Sequence, residues 1–282
     1  MTDGSNIHLE AGRAQSEASH QSKDAVVWRE QFKVHSFEVD LNQRGTLESL
    51  CRHFQEAAWN HAEHLGVGYE RLSQENRVWV LARLLVKIER HPHWAETITV
   101  QTWPRQSQSI FALRDFQMFD SAGACLISGT SSWLVLDATS RRPQRVDKLI
   151  SAIKGLSNKR ALDQEPQKLD AVASQMPTTQ LTVRYSDIDV NGHVNNARYV
   201  GWLMDSYTVD FHRTHAVRGL EMNYLGETLG EESVSVFSQE GAPGEYWHSI
   251  KKTKSGIEAC RAKLLWSIEQ QPGEPTCNPP TI

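Results

Sequence analysis

The sequence predicts an α+β protein in which an antiparallel sheet wraps around a helix, and it predicts this arrangement twice. Three observations support the prediction. Each half contains a helical stretch with an apolar stripe, each helix is followed by four strand-like runs, and a short Asp-x-Asn motif precedes each helix, at Asp40 and at Asp189. The same elements in the same order indicate an internal duplication.

Length and composition agree with two globular domains of ordinary size. The chain has 282 residues, of which 39% are hydrophobic and 23% charged, as in soluble proteins. A net charge of −4 gives no basic field for nucleic acid, and no apolar run is long enough to cross a bilayer. We therefore expect neither a nucleic-acid partner nor membrane insertion.

The first half begins with an alternating run over residues 32–39, which predicts a strand. A helix is expected from Thr46 to about Leu65, because apolar residues recur there at helical spacing. Four further runs predict antiparallel strands, at residues 78–89, 97–103, 111–119 and 125–136.

The second half repeats this plan. Residues 181–185 alternate as a strand, and apolar spacing predicts a helix from Asn195 to about Phe211. Four strand-like runs follow, at residues 220–224, 233–238, 246–252 and 259–268.

The chain is expected to divide into two domains with polar flanks. We predict a flexible leader over residues 1–27, a first domain over 28–140, a linker over 141–179, a second domain over 180–268 and a disordered, proline-rich tail over 269–282. The leader lacks the apolar core of a secretory signal, and its acidic residues argue against a transit peptide.

The spacing of the cysteines indicates a reducing compartment and argues against a metal site. The four, Cys51, Cys125, Cys260 and Cys277, are scattered without paired spacing. This pattern is typical of the reducing cytoplasm and predicts no metal site. We therefore expect a cytoplasmic protein without a bound metal.

The stretch ahead of the second helix carries the strongest chemical signal. Asp189, Asn191 and His193 occupy alternate positions, and in an extended segment alternate side chains point to the same side. The helix that follows begins at Asn195, and its free N–H groups can receive developing negative charge. This combination predicts a hydrolytic site. The alternative is that Asp189 caps a turn and His193 fills a polar pocket.

With this layout, residues 28–268 resemble the acyl-acyl carrier protein (acyl-ACP) thioesterase family of plants and bacteria, whose members have tandem hot-dog domains. The most specific match is Ser-Asp-Ile-Asp-Val-Asn-Gly-His-Val-Asn-Asn at residues 186–196, followed by Tyr199, Gly201 and Trp202. Other matching stretches are Trp79-Val80 with Arg83, Arg90-His91-Pro92-His93-Trp94, and Ser131-Ser132-Trp133 leading to Thr139-Ser140-Arg141-Arg142.

The resemblance implies catalytic roles for Asp189, Asn191 and His193, and for Glu227 in the next strand region. In the family a cysteine follows this glutamate, whereas Thr228 stands here. A cysteine nucleophile is therefore not available at this position.

The first copy of the motif is not expected to carry chemistry. It has Arg44 and His91 where the second copy has His193 and Glu227. An arginine remains protonated and cannot act as a general base, so we expect this copy to be structural.

The resemblance implies hydrolysis of fatty acyl-ACP to free fatty acid and holo-ACP, which ends fatty acid synthesis. Acyl carrier protein would be the partner, with no cofactor, and a homodimer is possible. Asp189 would attack the thioester directly or deprotonate water. Two alternatives stay open: an acyl-CoA thioesterase, and a non-catalytic or dehydratase-like hot-dog protein.

Two further sets of residues complete the hypothesis. Backbone N–H groups near residues 194–196, those of Val194 and Asn195 among them, would stabilise the oxyanion. The candidates for the acyl-chain channel are the apolar stripe of the first helix and residues of the next strand, although ordinary core packing explains them at least as well: Leu47, Leu50, Phe54, Ala57, Ala58, Val80, Leu81, Leu84 and Val86.

Overall fold

The computed structural model describes residues 26–105, 110–146, 153 and 159–269, and it has the predicted α+β architecture of two hot-dog units. Most of the expected leader and tail, residues 1–25 and 270–282, lies outside the described residues. In the described part of the chain, no helix is both long and apolar enough to cross a bilayer.

The described residues of the first half form two α-helices and six strands. In chain order these are β1 (Trp28–Lys33), α1 (Leu47–His64), α2 (Tyr69–Gln74), β2 (Arg77–Ile88), β3 (Thr97–Pro104), β4 (Ala112–Phe119), β5 (Cys125–Asp137) and β6 (Pro143–Gln144). The helix α1 begins where the sequence predicts it, because the Thr46 side chain caps it by accepting the N–H of Ser49.

The second half repeats the order with a shorter first helix. Its elements are β7 (Thr179–Thr182), α3 (Asn196–Met204), α4 (Val209–Thr214), β8 (His215–Tyr224), β9 (Ser233–Glu240), β10 (Glu245–Lys252) and β11 (Glu258–Ile268).

Four predicted elements have different bounds. In the second half, β7 is Thr179–Thr182 rather than residues 181–185, because the Asp187 carboxylate accepts the N–H of Arg184 at 2.8 Å and closes a short turn. The strand β8 begins at His215, five residues before its predicted run. The strand expected over residues 32–39 ends at Lys33, because the Glu38 carboxylate accepts the N–H of His35 at 2.7 Å and closes a short turn. The helix expected to reach Phe211 ends at Met204. There the Ser206 hydroxyl donates to the carbonyl of Leu203 at 2.7 Å, and a separate helix, α4, starts after Thr208.

The two halves share one continuous antiparallel sheet. Its strands follow the order β1-β3-β4-β5-β2-β8-β11-β10-β9-β7, with β6 added beside β5. The halves meet where β2 pairs with β8, from Arg83 opposite Asn223 to Lys87 opposite Gly219. The sheet therefore wraps around both α1 and α3.

The core lies between α1 and the inner face of the sheet. Leu50, Phe54 and Ala57 are buried on one face of α1, and the Phe54 ring stacks on Phe116 of β4 with 4.8 Å between centroids. The linker crosses the outer face of the sheet, where Asn223 of β8 accepts the N–H of Leu169 at 2.8 Å. The linker is thus attached to the strand at which the two halves meet.

Candidate active site

The segment with Asp189, Asn191 and His193 is a closed turn rather than the extended strand that the sequence analysis assumed. The N–H of Asp189 donates to the carbonyl of His193 at 2.9 Å, and the N–H of Gly192 donates to the carbonyl of Asp189 at 3.0 Å. Gly192 has φ of 78°, a left-handed conformation that glycine adopts without strain. Asp189 and His193 therefore stand opposite each other at the base of the turn, and all three side chains still border one cleft.

Asp189 is held by its own turn. One oxygen of its carboxylate accepts the N–H of Asn191 at 2.8 Å, which fixes the orientation of the side chain. With this oxygen Asp189 caps its own turn, as the alternative hypothesis expects. The carboxylate also borders the cavities described below, so the capping contact and exposure to a ligand coexist.

His193 and Glu227 form a contact across two segments. Glu227 lies in the loop after β8, and its carboxylate is 3.2 Å from Nε2 of His193. Arg141, in the turn after β5, makes an ion pair with the same carboxylate. The pKa of His193 is lowered, first by partial burial and then by the Arg141 cation, while the Asp189 carboxylate acts in the opposite direction. A neutral imidazole is therefore favoured, which can accept a proton.

Two cavities meet at this turn. The inner cavity, of about 140 Å³, extends between α1, α2 and the sheet, and the outer cleft, of about 630 Å³, opens beside His193 and Glu227. Residues from both halves border both spaces and form a neck between them: Tyr69, Arg77, Val78, Trp79, Asp189, Asn191 and Asn196. Asp189 thus stands where the two spaces join.

Three of the nine channel candidates border these spaces: Ala58 borders the inner cavity, and Val80 and Leu81 border the outer cleft. The other six belong to the packed core and border neither space: Leu47, Leu50, Phe54, Ala57, Leu84 and Val86. The inner cavity uses a neighbouring face of α1, formed by Gln55, Ala58, Trp59 and Ala62. Of these four residues only Ala58 is among the sequence candidates, although the spacing of three, four and seven residues places all four on one helix face.

The opposite wall of the inner cavity was missed altogether, because it includes a helix that the sequence analysis did not predict. Leu72 of α2 is buried there, together with Val67 ahead of it. Arg114 of β4 also borders this cavity, and its guanidinium donates to Nδ1 of His61 at 3.1 Å. Burial lowers the pKa of Arg114 to about 10.

The two N–H groups named for the oxyanion are occupied. The N–H of Val194 donates to the carbonyl of Thr228 at 3.0 Å, and that of Asn195 donates to the carbonyl of Asp187 at 2.9 Å. Neither can turn to a substrate without breaking a backbone hydrogen bond. The N–H of Asn196, in the first turn of α3, makes no hydrogen bond to any residue that the structure describes, and Asn196 borders the neck.

Thr228 is fully buried and faces away from both cavities. Its hydroxyl accepts a hydrogen bond from Tyr199 of α3 at 2.9 Å. Burial also raises the pKa of Tyr199, so this phenol is neutral and serves as a hydrogen-bond donor. Asp187 is likewise structural, because it accepts from the Arg198 guanidinium at 2.8 Å and from the N–H of Arg184 at 2.8 Å.

The first copy of the motif has the same turn with different chemistry. The N–H of Asp40 donates to the carbonyl of Arg44 at 2.8 Å, as Asp189 does to His193. Arg44 is only 6% exposed and pairs with Asp40 at 2.9 Å and with Glu269, at the end of the second half, at 2.6 Å. His91 bridges the carbonyls of Gly45 and Val217. This copy therefore connects the two halves.

Two family models match most of the chain. Residues 25–153 match the acyl-ACP thioesterase N-terminal domain, and residues 171–268 match the C-terminal domain of the same family. An acyl-ACP thioesterase from Bacteroides thetaiotaomicron is 30% identical and superposes with a TM-score of 0.80 over 88% of this chain and 100% of its own. The chain belongs to the acyl-ACP thioesterase family.

Other relatives in this family come from plants. The 12:0-ACP thioesterase of Umbellularia californica is 26% identical, with a TM-score of 0.78, and the match covers 86% of this chain and 98% of that one. A palmitoyl-acyl carrier protein thioesterase of Gossypium hirsutum is 30% identical over 270 residues. An acyl-[acyl-carrier-protein] hydrolase of Cuphea viscosissima is 28% identical, and the match covers 86% of this chain and 63% of that relative. The chain therefore spans less than two thirds of the length of the Cuphea viscosissima and Gossypium hirsutum relatives.

Proposed function

We propose that this protein hydrolyses the thioester of fatty acyl-ACP and releases free fatty acid and holo-ACP. The observation that carries the proposal is the position of Asp189, at the neck between a narrow apolar cavity and an open, more polar cleft. A substrate with an alkyl chain on one side of its reacting carbon and a polar arm on the other fits this arrangement.

The inner cavity is assigned to the acyl chain. Ala58, Val67 and Leu72 provide apolar walls, and Arg114 also lines this cavity. The outer cleft is assigned to the arm of the carrier protein. We accordingly assign chain binding to a first domain over residues 28–140 and catalysis to a second over 180–268, with residues 141–179 between them.

In the reaction, a water oxygen adds to the thioester carbonyl and the sulfur leaves as a thiolate, which then takes up a proton. Asp189 either removes the proton from the water or attacks the carbonyl itself, after which water releases the acid. His193 and Glu227 orient the water, and Asn191 shapes the turn beside them. A thiol has a pKa of about 8.5, so its departure needs little general-acid help.

The N–H of Asn196 is the best placed donor for the oxyanion. It lies at the N-terminus of α3, where the helix dipole adds a partial positive charge. Loss of one such donor typically costs about 3–4 kcal/mol of transition-state stabilisation. This assignment replaces Val194 and Asn195, whose N–H groups hold the turn and the helix start.

The carrier and the compartment are inferred from the relatives and from the sequence rather than from the geometry of the site. The names of the relatives support acyl carrier protein as the carrier rather than CoA, and a homodimer stays a prediction. A cytoplasmic location rests on the cysteine pattern alone. Cys51, Cys125 and Cys260 are unpaired thiols in the structure.

The decisive test is hydrolysis of matched thioesters by the purified full-length chain. Release of thiol is measured on a series of acyl-ACPs and on the acyl-CoAs with the same chains. We expect a higher kcat/KM on acyl-ACP, and free fatty acid as the product by gas chromatography. A preference for acyl-CoA would replace the carrier, and hydration of crotonyl thioesters without hydrolysis would indicate a dehydratase.

A further inference from the structure

The ion pair between Arg141 and Glu227 connects the first half of the chain to the catalytic loop of the second. Arg141 lies after β5, and Glu227 lies after β8. Both side chains are partly exposed, at 38% and 39%, and both border the outer cleft. The pair is therefore at the surface of the cleft, next to His193, and not in the core.

Several hydrogen bonds fix the conformation of the turn that carries Arg141. The carboxylate of Asp137 accepts the N–H of Thr139 at 3.2 Å and that of Ser140 at 2.7 Å, together with the Ser140 hydroxyl at 2.9 Å. The N–H of Arg141 closes the turn on the carbonyl of Asp137 at 2.9 Å, and Arg141 itself has φ of 57°. A non-glycine residue in this conformation is uncommon and is kept only where the surroundings enforce it.

Glu227 has few other restraints. Its loop is anchored on either side, where the N–H groups of Leu225 and Gly226 donate to the carbonyl of Ala259 and the carbonyl of Thr228 accepts from Val194. Among the described residues, the Glu227 carboxylate itself contacts only Arg141 and His193. A half-exposed carboxylate held by one imidazole would sample several rotamers, because a single such contact does not offset the lost side-chain entropy.

We infer that Arg141 is a positioning residue for the hydrolytic reaction. It holds the Glu227 carboxylate against Nε2 of His193, and its positive charge disfavours protonation of that imidazole. This role rests on the proposed function. It assigns to the first half of the chain a direct part in the geometry of the catalytic half.

The charges around His193 define the expected effect of removing Arg141. Asp189 on its own turn favours the imidazolium, whereas Arg141 after β5 disfavours it. Glu227, whose carboxylate is 3.2 Å from Nε2, is a further anion beside the ring, and Arg77 at the start of β2 is a further cation that borders the same cleft. Arg77 is already paired with Glu75 at 2.9 Å. Loss of Arg141 should therefore raise the pKa of His193.

The next residue is a matched control. Arg142 is exposed, and it forms no ion pair with any residue in the described part of the chain. Arg141→Gln and Arg142→Gln remove the same charge from adjacent positions, so they change the net charge and the long-range field equally. Only Arg141→Gln removes the contact to Glu227.

The experiment compares both variants and Arg141→Lys with the wild type in the full-length chain. The kcat and KM are measured across pH on the best acyl-ACP, and the His193 ring is titrated by NMR, with His193→Gln to assign the signal. For Arg141→Gln we expect kcat to fall about 10-fold or more with KM within about 2-fold, since positioned proton transfer contributes at least this much. The His193 pKa should rise, and the acidic limb of the kcat profile should move with it. Arg142→Gln should change none of these, and Arg141→Lys should restore part of kcat.

Three results would overturn the inference. An equal loss of kcat in the two glutamine variants would mean a general effect of charge. A rise in KM at unchanged kcat would place Arg141 in carrier binding, and a fall in kcat with an unmoved His193 titration would mean a structural role. The NMR titration of His193 does not depend on turnover. If the wild type hydrolysed no thioester, the proposed function would be refuted, and the titration would still show whether Arg141 changes the pKa of His193.

Discussion

Ala58 offers a direct test of where the acyl chain lies. It is 6% exposed and borders the inner cavity, so Ala58→Phe places an aromatic ring in space that the alkyl chain would otherwise fill. Burial of one methylene contributes about 0.8 kcal/mol. If the ring displaces roughly four methylenes, long-chain substrates lose about 3 kcal/mol, or about 200-fold in kcat/KM.

The assay is kcat/KM over a series of saturated acyl-ACPs from short to long chain. Ala58→Phe should shift the preference to shorter chains, and the shortest substrate, which does not reach the ring, should keep its wild-type rate. Leu50→Ala is the control, because Leu50 lies on the same helix in the packed core. It should lower the free energy of unfolding by about 2–5 kcal/mol and leave the chain-length profile unchanged. A profile altered by Leu50→Ala but not by Ala58→Phe would refute the assignment of the channel.

Four other substitutions or conditions test separate parts of the structure. Asp189→Asn keeps the oxygen that accepts the Asn191 N–H but removes the base, so kcat should fall by about 100-fold or more at an unchanged melting temperature. Appreciable turnover in the folded variant would contradict the role of Asp189. Thr228→Ala should keep kcat nearly at the wild-type level and cost about 1 kcal/mol of stability, because only the Tyr199 hydrogen bond is lost; a kcat loss as large as that of Asp189→Asn would make Thr228 catalytic. Arg44→Met removes the ion pairs that Arg44 makes with Asp40 and Glu269, although Arg218 still pairs with Glu269 at 3.1 Å. The variant should lower the free energy of unfolding by about 3 kcal/mol in urea titrations, with kcat retained, and unchanged stability would mean that the first copy does not hold the halves together. Burial lowers the pKa of His248 to about 4, so the unfolded chain takes up a proton near pH 6.5 while the folded chain does not. The free energy of unfolding should therefore fall by roughly 3 kcal/mol as the pH decreases from about 6.5 to about 4. A His248→Gln variant with the same pH dependence would show that this histidine is not the cause.

The sequence predicted the strands β2 to β5 well and several other element ends poorly, among them the start of β8 at His215. The bounds of β2 to β5 agree with the predicted runs within one or two residues, because long buried strands carry an uninterrupted apolar signal. The shift of β1 and the early end of α3 depend on single polar contacts, those of Glu38 and Ser206, that propensity does not register. The helix α2 has six residues and one buried side chain, too few for a period to be visible.

The catalytic turn could be found from its motif, but its surroundings could not. Asp189, His193 and Glu227 follow from residue type and from the resemblance. The occupied N–H groups of Val194 and Asn195 depend on carbonyls that lie in other segments, at Thr228 and Asp187. The channel likewise depends on how α2 rests against α1, a packing detail that local sequence does not encode.

The covalent joining of two hot-dog units has an evolutionary consequence. In a symmetric pair of identical subunits, any substitution at one active turn is made at the other as well. Here the turns are encoded separately, so the first could exchange an imidazole for a buried guanidinium at Arg44 while the second kept His193. A single chain can thus give up one of two reaction centres in return for stability, a change that a homodimer cannot make without losing both.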